Sequence, residues 1–255
     1  MVRDVWDLGD AYEAYVGRWS RRVAREFMAW LALPPGGRWL DAGCGTGALS
    51  AAAHDAGAGQ VIGADPSHGF LRAGSGPRIA GDARALPLRD AACDAVVSGL
   101  ALNFVPDPAR AAAEFVRVTT PGGTVAAYVW DYAEGMQLMR RFWDAATEED
   151  PGHGLDEGAR FPLCHPQPLT DLWRDAGLAG TVVRPIEIPT VFADFADYWE
   201  PFLGGQGAAP AYLMSLPPER RDAIRDVLRG RLPTAPDGTI HLTARAWAIR
   251  GTVTA

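Results

Sequence analysis

The stretch Trp39–Ser50, W-L-D-A-G-C-G-T-G-A-L-S, decides the fold. A short apolar run passes through Asp41, three alternate glycines follow at 43, 45 and 47, and small and apolar residues then resume. This reads as a buried strand, a tight turn and the first turn of a helix. Without Cβ atoms in the turn, a ligand can approach the main chain and the N–H groups at the helix start. Asp41 adds a carboxylate at the mouth of the same strand, where an amine of that ligand could meet it. The pattern is that of a nucleotide-type cofactor loop.

Working outward, the same grammar repeats. Val61-Ile62-Gly63-Ala64-Asp65 is an apolar run closed by an acid and followed by Pro66 and Ser67, which completes a βαβ unit. Asp65 lies 18 residues beyond Gly47, close to the spacing at which an acid ending the second strand binds ribose hydroxyls. A strand at residues 78–80 leads into Gly81-Asp82-Ala83, and residues 93–100 read as a fourth strand opening into a loop with Asn103 and Phe104. Asp107-Pro108 starts a helix with Ala112, Phe115, Val116 and Val118 on one face, Pro121-Gly122-Gly123 stops it, and Thr124 to Trp130 is a fifth strand. This alternation predicts a parallel sheet with helices on both faces and a ligand beyond the carboxyl ends of its strands.

The flanks read differently. Residues 1–37 form a helical lead-in, with Trp6, Tyr12, Tyr15 and Trp19 as a strap or lid and Ser20 as an N-cap. Residues 131–165 and 190–236 read as helical insertions into one domain spanning 1–255, whose cofactor-binding core is 38–130. They hold Phe142, Trp143, Phe161, Phe195, Tyr198, Trp199, Phe202 and Tyr212, which suits a cap over an apolar or aromatic acceptor and also a cationic one. Asp237-Gly238 turns into a last strand, residues 239–253, free to run antiparallel.

Bulk properties narrow the partners. The chain has 255 residues, 48% of them hydrophobic, and a formal charge of −7, enough for a well-buried α/β domain and unsuited to nucleic acid or an anionic membrane. Three scattered cysteines fit neither a disulfide framework nor a metal site, and the charged start lacks the apolar core of a signal peptide. The expectation is a cytoplasmic monomer or homodimer acting on a small molecule, with no metal.

The motifs L-D-A-G-C-G-T-G (40–47), V-I-G-A-D-P-S (61–67) and G-D-A-R-A-L-P-L-R-D-A-A-C-D-A-V-V-S (81–98) resemble those of class I S-adenosylmethionine-dependent methyltransferases. Within that class they are similar to the bacterial ubiquinone and menaquinone biosynthetic branch, with the match strongest over residues 38–130. The resemblance implies a Rossmann-like seven-stranded α/β sheet, mostly parallel with an antiparallel terminal hairpin. It also implies roles. Gly43, Cys44, Gly45 and Gly47 would pack on the methionine part of S-adenosylmethionine, with Asp41 near its amino group. Asp65, with Pro66 and Ser67, would take the ribose hydroxyls, Asp82 and Ala83 the adenine edge, and Ser98, Gly99 and Leu100 the methionine side. Tyr15 and Arg18 of the lead-in belong to the same cofactor set. The catalytic base, if the acceptor needs one, is undetermined, with Tyr128, Asp131, His153 and His165 as candidates. Two alternatives stay open: a nicotinamide-dependent oxidoreductase, because Gly43, Gly45 and Ala48 also fit a looser dinucleotide fingerprint, and a cofactor-binding protein without turnover.

Overall fold

The computed structural model describes residues 13–152, 154–205 and 207–254. Its strands are β1 (Gly36–Ala42), β2 (Ala58–Asp65), β3 (Arg78–Ala80), β4 (Cys93–Gly99), β5 (Thr119–Trp130), β6 (Leu178–Phe192) and β7 (Ile240–Val253). They form one seven-stranded sheet in the order β3-β2-β1-β4-β5-β7-β6. The pairs β2/β3, β1/β2, β1/β4 and β4/β5 are parallel, and β5-β7-β6 is antiparallel. The order reverses at β1/β4, so the segments after these strands lie at the switch point where ligands bind in such sheets.

The chain divides into two compact units. The first comprises Ser20–Val129, Leu163–Ile186 and Ala246–Ala255. Its core is built on Leu40, Val96, Val125, Ala127 and Val129 of the central strands, packed with Phe115, Leu169, Trp173 and Ile249. These strands are apolar on both faces because both are covered, the expected signature of a parallel sheet. The helix Pro108–Val118 starts as its sequence requires, with the Asp107 side chain accepting from Arg110 N and proline in the first turn. Trp173 is fully buried, and its indole N–H donates to the Val125 carbonyl at 3.1 Å.

The second unit comprises Met1–Trp19, Trp130–Pro162 and Glu187–Arg245. Its interior is aromatic. Phe142 stacks on Phe202 at 4.7 Å between ring centroids, Tyr15 meets Phe202 at 5.1 Å, and Trp143 meets Tyr212 at 5.6 Å. The segments 131–165 and 190–236 fall almost entirely within it.

Two local readings change. Ser20 is not a cap: the chain is already helical from Glu13 through Gly17, continues as the α-helix Arg18–Leu31, and buries Ser20 inside it. The fifth strand begins at Thr119, not after Pro121-Gly122-Gly123. The pairing with β4 shifts register between Cys93 and Ala95, and Gly122 takes a φ of +80°, so the turn-like triplet is a bulge within the strand.

Replacing Trp173 by Phe removes the donor and leaves the Val125 carbonyl buried without it. We expect a loss of about 1–3 kcal/mol, read as a lower urea midpoint at unchanged slope.

Candidate functional site

The site is built where β1, β2 and β4 end. Asp41 is fully buried, and its Oδ2 accepts from the Ser50 hydroxyl at 2.6 Å. Its Oδ1 is buried and has no partner among the described residues. Burial, partly offset by the Ser50 hydrogen bonds, pushes the carboxyl up to about 6. An ammonium group on a ligand would satisfy both the orphaned oxygen and the charge.

The glycine turn spends most of its own N–H groups. Gly43 and Cys44 N both donate to the Ala64 carbonyl, Gly47 N donates to Cys44 O, and Gly45 N donates to Asp65 Oδ2 at 2.9 Å. Asp65 Oδ1 accepts from Ser67 N at 2.8 Å. Asp65 is nearly buried, and desolvation raises its pKa against the lowering by these amides and the Arg78 charge. A pyrophosphate needs free N–H donors and no facing acids; here the turn has given its amides away and stands between two carboxylates. The chemistry suits a cationic, phosphate-free cofactor.

All three glycines of the turn take a positive φ, of 78°, 52° and 99°, but their surroundings differ. A Cβ on Gly43 would lie 2.4 Å from the Ala101 Cβ, so this position serves packing, whereas a Cβ on Gly45 would meet nothing within 4 Å. Gly45 is therefore the open lip of the turn. The Cys44 thiol is pushed up to about 12, first by burial and then by Asp41 and Asp65; it stays protonated and fills space under Gly63.

The remaining predicted residues occupy strand ends as expected, with several side chains already engaged. Pro66 is exposed, while Ser67 caps the helix His68–Ala73 by accepting from Phe70 N. Asp82 is half-exposed and bidentate with Arg84, whose Nη2 lies 2.6 Å from Oδ2; this pairing holds the carboxyl below its usual range. Ala83 beside it is half-buried. The Ser98 hydroxyl donates to Ala42 O at 2.7 Å, stitching β4 to β1. A Cβ on Gly99 would lie 2.6 Å from the Tyr128 hydroxyl oxygen. Leu100 follows with a φ of +62°, a left-handed conformation unusual for a branched residue and concentrated at functional turns. Asn103, just beyond, has a buried Oδ1 without a partner among the described residues, while its amide reaches Cys164 Sγ at 3.7 Å.

The candidate bases differ in setting. Tyr128 is buried in the first unit against Phe27, at 4.7 Å between rings. Asp131, in the second unit, is buried and paired with Arg245 Nε at 2.7 Å, with its Oδ1 accepting from Glu134 N. His165 is exposed ahead of the helix Pro166–Asp175, and His153 lies outside the described residues. In the second unit Arg18 pairs with Asp197 at 2.7 Å and lies over Trp19 and Phe192, while the Tyr15 hydroxyl is buried without a partner among the described residues.

Sequence reasoning missed three residues here. Ser50 is the Asp41 partner; its place in the first turn of a helix that follows the strand was the available clue. Arg78, which donates to the Gly45 and Thr46 carbonyls, gave no local signal. Glu157 is a buried carboxylate that accepts from the Trp143 indole, hidden in a stretch that reads as an acidic loop. Among the described residues no cluster of metal-ligating side chains is present and no helix is long and apolar enough to cross a membrane.

Residues 40–127 match the family described as Methyltransferase domain. A demethylmenaquinone methyltransferase of Renibacterium salmoninarum is 43% identical over 111 residues, covering 42% of this chain and 45% of the relative. The chain spans about half the length of the curated relatives it matches. Among solved structures, YcgJ of Bacillus subtilis aligns with a TM-score of 0.58 at 18% identity, covering 92% of this chain and 99% of that one. A Haemonchus contortus phosphoethanolamine N-methyltransferase 2 bound to S-adenosylmethionine aligns with a TM-score of 0.57 at 15% identity, covering 99% and 60%. The structural likenesses speak for the fold.

Over residues 40–127 the chain is similar to the methyltransferase domain family. This likeness supports S-adenosylmethionine as the cofactor and does not favour the nicotinamide alternative.

The elevated Asp41 fixes a pH dependence. Its protonated form is favoured in the fold, so the ligand-free chain holds a proton between about pH 4 and pH 6 that the unfolded chain has lost. This contribution is present below about pH 4 and is lost as pH rises through about 6, amounting to about 3 kcal/mol for a shift of roughly two units. Asp41→Asn should therefore become progressively more stable than wild type across this window, a divergence to be measured by urea unfolding at several pH values.

Proposed function

We propose that this chain transfers a methyl group from S-adenosylmethionine to a small-molecule acceptor. The observation that carries the reading is Asp41, buried with one oxygen unpartnered among the described residues, beside a glycine turn most of whose amides are already spent. The bound cofactor supplies an activated methyl group on a sulfonium, with its leaving group built in. The chain contributes alignment and exclusion of water.

In this reading Asp41 orients the cofactor's amino group. Asp65 takes the ribose hydroxyls through the lone pairs left by the Gly45 and Ser67 amides. Gly45 and its neighbours Gly43, Cys44 and Gly47 wall the methionine part together with Ser98, Gly99 and Leu100. Asp82 and Ala83 border the adenine, with Arg84 fixing the Asp82 carboxylate in place. Tyr15 and Arg18 of the lead-in are assigned to the same cofactor set.

The second unit is the acceptor side of the proposal. Phe142, Trp143, Phe202 and Tyr212 form its buried aromatic interior, an apolar environment suited to an aromatic acceptor. Relatives named for demethylmenaquinone make a quinone-type ring the first compound to offer. We place the protein in the cytoplasm, in keeping with three scattered, buried cysteines, as a monomer or homodimer. A second reading, cofactor binding without turnover, draws on Asp131, whose two oxygens are engaged by Arg245 Nε and Glu134 N.

Calorimetric titration with S-adenosylhomocysteine tests the cofactor: the full chain should bind it, and no binding at high micromolar concentration would sink the proposal. Transfer of labelled methyl groups to small molecules of a cell extract separates turnover from binding alone. Asp65→Ala should weaken cofactor binding by about 1.5–3 kcal/mol; unchanged affinity in a folded variant would refute the ribose role.

A further inference from the structure

Arg78 stands at the start of β3 and reaches across to the glycine turn. Its Nη1 donates to Gly45 O at 2.9 Å, its Nη2 to Thr46 O at 3.1 Å, and its Nε to Ser75 O at 2.9 Å. One guanidinium thus spans the turn after β1 and the loop before β3, using the planar fork that a lysine lacks. Two glycines make room for it. A Cβ on Gly47 would lie 2.3 Å from Nη2, and one on Gly74 would lie 1.9 Å from both Cζ and Nη1. Gly74 has a φ of −93° and a ψ of 178°, a backbone conformation any residue adopts. Its lack of a side chain answers to Arg78.

The charges agree with the geometry. Asp41, Asp65 and the Cys44 thiol all feel the guanidinium, which lowers the pKa of each. Arg78 therefore pins two carbonyls of the turn that carries the open Gly45 lip and also offsets the two buried acids beside it.

We propose that Arg78 is the positioning residue of the cofactor site, a clamp that holds the glycine turn in its binding shape from behind, with Gly74 as the notch that admits it. The inference rests on the methyltransferase reading, because it assigns Arg78 an effect on S-adenosyl ligands.

The test is titration of the full chain with S-adenosylhomocysteine. Arg78→Met should weaken binding about tenfold, the scale of a lost charge-assisted pair of hydrogen bonds. Gly74→Ala should weaken it similarly, because its methyl displaces the guanidinium. The double variant should be no worse than either single one, since both remove the same interaction. Arg78→Lys should fall between wild type and Arg78→Met. The acid limb of binding, set by Asp41 and Asp65, should move to higher pH in Arg78→Met, a change that loss of packing alone does not produce. Wild-type affinity in Gly74→Ala and Arg78→Met, or losses that multiply in the double variant, would overturn the clamp while leaving the methyltransferase reading intact. Should Arg78→Met fail to fold, Gly74→Ala and Arg78→Lys decide by the same affinities. A wild-type chain that does not bind the ligand overturns the reading and this inference with it.

Discussion

The carboxylate of Asp65 ties together the two turns on which the cofactor half depends. One oxygen accepts the Gly45 amide from the turn after β1, and the other accepts the Ser67 amide from the turn after β2. A charged acceptor of two backbone N–H groups survives nearly buried because those bonds replace much of the water it has lost. The cost appears as a raised pKa, and neighbouring Asp41 shares it. Two partly desolvated acids at adjacent strand ends make the site electron-rich, which selects against phosphate and in favour of a cation.

Packing fixes the positions of these charges. The turn can sit so close to the segment after β4 only because Gly43 has no side chain to meet Ala101. The Ser98 hydroxyl holds β4 to β1 through the Ala42 carbonyl. Beyond that strand the backbone enters the left-handed region at Leu100, held by its amide donating to the Tyr128 carbonyl at 2.8 Å. The strain sits next to the proposed methionine wall, where an exact backbone path matters more than local comfort.

The strand-and-acid grammar of residues 38–130 was readable because each strand there is a short apolar run bounded by glycine, proline or an acid, a local and periodic signal. Ser20 and the Pro121-Gly122-Gly123 triplet misled for the opposite reason. Each carries a strong local signal, a cap in one case and a breaker in the other, and the continuing helix or the neighbouring strand overrides it. Asp131 looked available as a base at a strand end. Its ion pair with Arg245, 114 residues away in sequence, leaves no mark on the residues around it.

The sequence by itself determined the class of fold, the order of the acid-bearing strand ends and the site of the glycine turn, because periodicity and turn chemistry act over a few residues. Only the tertiary structure decided which acids keep a free oxygen and which are already paired: Asp41 with Ser50 and one orphan oxygen, Asp82 with Arg84, Asp131 with Arg245. It likewise showed that Gly74, whose backbone any residue could adopt, makes room for Arg78. The physical reason is that hydrogen bonding and desolvation depend on distance in space, and the partners that set them come from remote parts of the chain.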